Sequence, residues 1–305
     1  MLNKVYFKNI LVIRNDRFGE FLLNIPALRA LKETYPDSRL TLAVDPSVKD
    51  LAECVECCDE VVLWDKQFKK TLRKRRFDAC LVLNPAKEAH WAAFFAGIPV
   101  RVGYDRKWGI LLTHKMQDNK YLGLRHEVEY NLELVGLIGA ETSDRSISLA
   151  KLPAGVNLEY AGAVAIHPYT SDLVKQWPVE KFQVLAKRLA EESGVKVLIV
   201  GKDKERAGEF DDLGNGIINL INTTTLVELA QILKQSQLLI SCDSGPMHLS
   251  AVVGTPVVAL FRNDLPGKTA RRWGPWGDGH MVIEKNSLLD ITVNEILNKI
   301  KGILK

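Results

Sequence analysis

The strongest constraint on this chain is an alternation, run through twice, of short apolar stretches with longer segments of helical period. In the first half, β-type runs at 10–14, 40–44, 60–63, 79–83 and 100–102 are separated by helical segments at 20–35, 66–75 and 88–95. A longer helix follows at 127–138, where Val128, Leu132, Val135 and Leu137 make an apolar stripe. Pro26 predicts a kink or a restart in the first helix, because it lacks a backbone donor and clashes with the preceding turn. A polar stretch at 141–160, containing Pro153 and Gly155, then reads as a connection between domains. The alternation resumes with strands at 163–167, 195–200, 217–219, 238–241 and 257–260. Helices are expected at 180–193, 204–213, 226–234 and 247–253, and a final amphipathic one at 293–303. Strands followed by helices, twice over, imply an α/β chain with two parallel sheets covered on both faces. We therefore expect domains at 1–150 and 151–305. Such sheets bind ligands beyond the carboxyl ends of their strands, at a switch point in strand order. Two of them facing across a cleft suit a reaction with one substrate per domain.

The length, 305 residues, fits two domains at about 150 residues each. Apolar content of 47% against 26% charged is globular and excludes disorder. A net charge of +4 is too weak to argue for a nucleic-acid partner. The basic residues that do cluster, Lys66, Lys69, Lys70, Arg73, Lys74, Arg75 and Arg76, share one helix without interleaved stacking aromatics. A solvated face is their default use; attraction to an anionic membrane or a phosphorylated acceptor is the functional one. The five cysteines are odd in number, and Cys54, Cys57 and Cys58 have no second pair at zinc-finger spacing, so a reducing compartment is expected. No leader and no membrane span is read, so a cytoplasmic location is expected.

No G-x-G-x-x-G follows the first strand and no P-loop occurs, which argues against nicotinamide and P-loop enzymes. No Asp-x-Asp pair is present, so neither a metal nor a cofactor is expected.

Three strand-to-helix loops carry chemistry. Arg14-Asn15-Asp16-Arg17-Phe18-Gly19-Glu20 leaves the first strand with four charges, and Glu20 falls at a helix start that favours a carboxylate. Helix capping is its plain reading; a general base flanked by anion-holding arginines is the functional one. His167 to Pro178 includes Thr170 and Lys175, a compact cation suited to phosphate oxygens. Ser241-Cys242-Asp243-Ser244-Gly245-Pro246-Met247-His248 offers Asp243 or Ser244 as a cap and Gly245 for close ligand approach. Capping and anion binding at such a helix end are compatible. His248 reads as a buried histidine rather than a catalytic one.

At these loops the chain resembles glycosyltransferase family 9, the bacterial lipopolysaccharide heptosyltransferases, from about residue 8 onward. Arg14 to Glu20, continuing to Pro26-Ala27-Leu28, resembles the family's opening R-x-D-R-x-G-D-x-x-x-x-x-P-A-L. His167, Pro168, Lys175, Trp177 and Pro178 match H-P-x(6)-K-x-W-P, and Asp243, Ser244, Gly245, His248, Leu249, Ala251, Gly254 and Pro256 match the third motif. The resemblance implies a GT-B fold of two Rossmann-like domains, acceptor on the first and nucleotide sugar on the second. It implies inverting, metal-independent transfer of heptose from ADP-heptose to a lipid A-linked core acceptor. The functional reading of the basic run 66–76 adds the expectation of a peripheral position on the inner face of the cytoplasmic membrane. By position Glu20 stands for the catalytic acid and Lys175 for the donor-phosphate lysine. Asp243, Ser244 and Gly245, with Thr170, Glu205 and His248, stand in the donor site.

Three departures accompany the match. Glu20 replaces the usual Asp and is one methylene longer, and a misplacement of about 1 Å can cost on the order of 100-fold in rate. Asp16 is the second candidate base. Tyr169 stands where glycine is common, next to the expected phosphate pocket. Phe261-Arg262-Asn263-Asp264 replaces F-G-P-T-D and puts a bulky cation at the donor loop. Another sugar carried by UDP or GDP, and a non-catalytic nucleotide- or glycan-binding relative, are the competing expectations.

Overall fold

The computed structural model describes residues 6–154 and 158–304, so Gly155 of the expected connection lies outside the described residues. The chain divides into two compact units, Met1–Tyr121 with Arg125–Lys151, and Leu122–Leu124 with Leu152–Lys305.

The N-terminal unit runs β1 (Asn9–Arg14), α1 (Phe18–Leu22), α2 (Ile25–Thr34), β2 (Arg39–Val44), α3 (Lys49–Ala52), β3 (Glu60–Leu63) and α4 (Lys66–Arg75). It continues with β4 (Ala79–Val82), α5 (Lys87–Phe95), β5 (Val100–Tyr104), β6 (His114–Met116) and α6 (Glu127–Gly136). Its six strands are ordered β3-β2-β1-β4-β5-β6. Neighbours pair in parallel, with Ile13 beside Ala43 on one side and Val82 on the other. Ile10, Leu11, Val12 and Ile13 are wholly buried, as a strand covered on both faces requires. The expected break at Pro26 is a restart: α2 begins at Ile25 with the proline in its first turn, where a missing donor costs nothing. In α4 only Phe68 and Leu72 are buried, so its basic residues line the outer face.

The C-terminal unit runs β7 (Val164–His167), α7 (Val179–Ser193), β8 (Val197–Ile199), β9 (Ile217–Asn219), α8 (Leu226–Gln235) and β10 (Leu238–Cys242). Then come α9 (Gly245–Val252), β11 (Val257–Arg262), α10 (Ala270–Trp273), β12 (Met281–Lys285) and α11 (Val293–Ile300). The sheet order is β12-β11-β10-β7-β8-β9. Numbered from its own first strand, each sheet therefore has the order 3-2-1-4-5-6, the doubly wound Rossmann arrangement. The order reverses between β1 and β4 in one unit and between β7 and β10 in the other. The fold is thus α/β with two Rossmann-like parallel sheets.

The structure corrects the sequence reading in two places. Each sheet has a sixth, edge strand, β6 and β12, that the apolar pattern did not show. The helix expected at 204–213 is instead a loop with a short 3-10 turn at Ala207–Phe210. Asp203 Oδ1 accepts from the backbone N–H groups of Glu205 and Arg206 at 3.0 and 2.9 Å, a local bond that competes with helix formation. Asp212 then adopts a left-handed backbone, φ 54°, which ends any continuation.

Candidate active site

In the C-terminal unit, four loops leave the carboxyl edge of neighbouring strands β11, β10, β7 and β8. The loop after β7 carries the H-P-x(6)-K-x-W-P residues. Trp177 anchors it: the indole is wholly buried against Phe182, rings 4.8 Å apart and edge-on, and Nε1 donates to Ile291 O at 3.1 Å. The Trp177 N–H also donates to Cys242 Sγ at the end of β10. The loop is thereby drawn across the switch point. Asp172 caps a 3-10 turn at Leu173–Lys175 by accepting from Val174 N. That turn delivers the Lys175 ammonium to the Asp243 carboxylate, with the two side chains 20% and 10% exposed.

Beyond Asp243, Ser244 occupies the cap position of α9, yet its hydroxyl accepts no hydrogen bond from the helix. It pairs instead with Ser241 Oγ at 2.8 Å, and Ser241 Oγ lies 3.2 Å from His167 Nδ1. Burial holds the His167 imidazole neutral, its pKa brought down to about 4. Gly201, at the end of β8, has φ +133°, and a Cβ there would sit 2.6 Å from the His167 ring, so only glycine fits. Gly245 opens α9, where helix N–H groups and the helix dipole favour an anion.

Thr170 stays within its own loop, its hydroxyl donating to Asp172 O and its N–H to Gln176 Oε1. Gln176 Oε1 also lies 3.4 Å from Arg206 Nη1, which ties this loop to the one after β8. In that second loop the Glu205 side chain is exposed, whereas Asp203 holds Arg206 at 2.7 Å. His248 is buried within α9, with its ring 6.4 Å from Trp273. Tyr169 turns into the core of the unit. It is 2% exposed, packs edge-on to Phe210, lies under the Arg206 guanidinium, and hydrogen-bonds Arg206 O and Glu209. Its bulk therefore joins the core of the unit.

Two further ion pairs lie beside Lys175; the sequence singles out Arg262 but neither its pairing nor Lys268. Arg262 ends β11 and is held by Asp264 at 2.6 Å, with Nη1 3.4 Å from Val174 O. Lys268 pairs with Asp172 at 3.3 Å. Their signal was positional, since Arg262 ends and Lys268 follows β11, the strand next to β10 in the sheet.

In the N-terminal unit, Arg14 ends β1 with its side chain 3% exposed. It donates to Asp16 Oδ1 at 2.6 Å and to Leu83 O, just past β4, at 3.0 Å. Asn84 Nδ2 donates to Asn15 Oδ1 at 3.1 Å, a second tie across this switch point. Glu20 lies in the first turn of α1, 15% exposed, and accepts from Arg17 Nη2. Burial raises the Glu20 pKa above the usual carboxylate value; Arg17 opposes this and Asp16 adds to it. The two candidate bases differ in their partners. Asp16 is bound to a buried guanidinium, whereas Arg17 is 72% exposed and yields Glu20 at little cost.

The cysteine cluster gathers no such chemistry. Cys54 and Cys58 are buried and burial raises both thiol pKa values, so they stay protonated. Among the described residues no group of three or more His, Cys, Asp or Glu side chains is placed to hold a metal ion. No helix among them is long and apolar enough to cross a membrane.

Solved structures share this architecture over nearly the whole chain. A glycosyltransferase family 9 protein from Veillonella parvula superimposes with a TM-score of 0.82 at 18% identity, covering 99% of this chain and 98% of that one. The ADP-heptose lipopolysaccharide heptosyltransferase II of Escherichia coli gives 0.82 at 22%, covering 97% and 98%. Twin Rossmann-like sheets of this order, shared with these two structures, give the chain the GT-B fold. Among curated proteins, a putative glycosyltransferase of Haemophilus influenzae is 25% identical over 304 residues, 89% of this chain and 87% of its own. Lipopolysaccharide heptosyltransferase 3 of Escherichia coli is 25% identical over 296 residues, covering 85% and 84%. The chain belongs to glycosyltransferase family 9 (heptosyltransferase), whose model matches residues 66–294.

Proposed function

We propose that this protein transfers heptose from ADP-heptose to a lipopolysaccharide core acceptor by direct, inverting displacement without a metal ion. The observation that carries the reading is the Lys175–Asp243 pair at the switch point of the second sheet, beside the start of α9. The N-terminal unit receives the acceptor and the C-terminal unit the nucleotide sugar. Glu20 accepts the proton of the acceptor hydroxyl, whose oxygen bonds to the anomeric carbon as the bond from that carbon to the diphosphate breaks. ADP departs with the electron pair. Lys175 leaves Asp243 for the departing phosphates, and the first turn of α9 adds its dipole. Fixed cations and amides thus supply the charge stabilisation that a chelated metal supplies elsewhere. Base assistance is typically worth about 10²–10⁴-fold.

A donor with another base or sugar is the reading that Arg262 favours, because it brings a further cation to the same edge. One experiment separates the two. Thermal shifts are measured with ADP, UDP and GDP, and transfer is then measured from ADP-heptose with and without EDTA. A selective ADP shift with EDTA-insensitive transfer supports the reading. Selective UDP or GDP stabilisation, or a requirement for Mg²⁺, overturns it; a ligand at 100 times its Kd adds about 2.7 kcal/mol, ample for detection.

A further inference from the structure

The candidate base stands on a short support. Glu20 lies in α1, five residues long, and the Arg17 side chain at its start makes no cap bond to it. A helix this short does not hold its own shape. Two asparagines that no motif singles out hold it instead. Asn24 occupies the cap position of α2, where an Asn ordinarily accepts from the helix it opens, yet its side chain makes no such bond. It turns back, and Nδ2 donates to Glu20 O at 2.6 Å and to Phe21 O at 3.3 Å. Asn131, in α6, donates from Nδ2 to Leu23 O at 3.1 Å. Carbonyls at the C-terminal end of a helix lack intrahelical donors, and here side-chain amides meet them.

Both residues are buried, Asn24 1% and Asn131 0% exposed, and among the described residues neither Oδ1 meets a donor. The backbone carbonyls can only accept, so the orientation of each amide is fixed. A buried acceptor without a partner is destabilising, and a leucine of similar size would avoid it. Stability alone is therefore a poor account of these two amides, and holding α1 is a better one. The anchor behind them is firm. A capping box of His126 and Glu129 opens α6. Tyr104, at the end of β5, donates from its hydroxyl to Tyr130 O at 3.3 Å. One turn before Asn131, Glu127 forms a buried ion pair with Lys120, whose Nζ lies 4.2 Å from the Tyr104 ring. The support thus runs from the sheet through α6 to α1.

We propose that Asn24 and Asn131 are positioning residues that clamp α1 and so set where the Glu20 carboxylate stands. The clamp is independent of chemistry; its consequence for turnover rests on the function proposed above. A glutamate is one methylene longer than an aspartate and swings its carboxylate through a wider arc, so a fixed backbone matters more beneath it.

The test uses the full chain with Asn24→Leu and Asn131→Leu, each close in size to the residue removed, and Asn131→Ala should the leucine not be accommodated. Circular dichroism checks the fold. Amide hydrogen exchange over residues 18–24 should quicken in each variant, a readout that needs no substrate. With ADP-heptose and a delipidated core acceptor, kcat should fall about 10- to 100-fold, as for a displaced catalytic group. KM should stay within about twofold, since ground-state contacts are untouched. The charges that face Glu20, from Arg17, Asp16 and Arg14, remain in place. A loosened Glu20 is less buried, so the acidic limb of kcat/KM should move to lower pH, which lost stability alone would not do. In a Glu20→Gln background the asparagine changes should add nothing, because they act through that carboxylate. Folded variants with unchanged exchange in α1, or with quickened exchange and unchanged kcat, overturn the proposal. Near-wild-type turnover in Glu20→Gln overturns the catalytic reading and the positioning role with it, while the exchange still reports the clamp.

Discussion

Lys175 and Asp243 stand 68 residues apart in the chain and meet as an ion pair because β7 and β10 are neighbours in the second sheet. Strand order, not local sequence, brings the cation to the start of α9. Removing one preorganised group aimed at developing charge typically costs 10²–10³-fold in turnover. Lys175→Ala should therefore lower kcat by about that factor and diminish the thermal shift with ADP. Near-wild-type kcat in a correctly folded Lys175→Ala protein would remove the lysine from the charge scheme.

The Glu20–Arg17 pair sets a pH dependence. A base must be deprotonated to act, and burial holds Glu20 above the ordinary carboxylate value while Arg17 pulls it down. The acidic limb of kcat/KM should therefore lie at higher pH than for an exposed carboxylate, and Arg17→Ala should move it higher still. Glu20→Gln should abolish that limb along with most turnover. The stability effect has the opposite sense. With its folded pKa raised, Glu20 contributes most below its unfolded value, and that contribution is lost as pH rises through the folded one. At neutral pH Glu20→Gln should thus melt no lower than wild type, a trade of activity for stability. A limb that does not move in Arg17→Ala counts against Glu20 as the base.

Tyr169 separates a core role from a pocket role. Its hydroxyl donates to Arg206 O and its ring sits on Phe210, inside the unit. Tyr169→Phe should cost about 1 kcal/mol of stability through the lost hydrogen bond, with ADP binding unchanged. Weakened ADP binding at unchanged melting temperature would put the side chain at the ligand after all.

These cases show what the sequence made legible. Central strands such as β1 and β10 are buried on both faces and read as unbroken apolar runs. The edge strand β6, His-Lys-Met, is mostly exposed and has no pattern to read. The apolar positions Ala207, Phe210 and Leu213 mimic helical spacing, yet Asp203 takes the backbone donors that a helix would use. Motif spacing located Glu20, Lys175 and the Asp243–Gly245 turn. It could not show that Tyr169 turns inward, since direction depends on a residue of another loop, Phe210. Nor could it find the Lys268–Asp172 pair, which arises from the order of β11, β10 and β7, or the geometry of the Arg262–Asp264 pair, which closes within the turn after β11.

The last prediction concerns acid. His167 ends β7, faces Gly201 at close range, and is neutral by burial with a pKa of about 4. The unfolded chain binds this proton near pH 6.5, the folded chain only near 4, so the unfolded state takes up more protons between them. Stability should fall as pH drops through that window. A shift of this size is worth on the order of 3 kcal/mol for one site. His167→Gln has nothing to titrate and keeps a polar group for Ser241. Its melting temperature should therefore depend less on pH between about 6.5 and 4 than that of the wild type, even if it is lower at neutral pH. Parallel curves for the two proteins across that range would show that acid acts elsewhere in the fold.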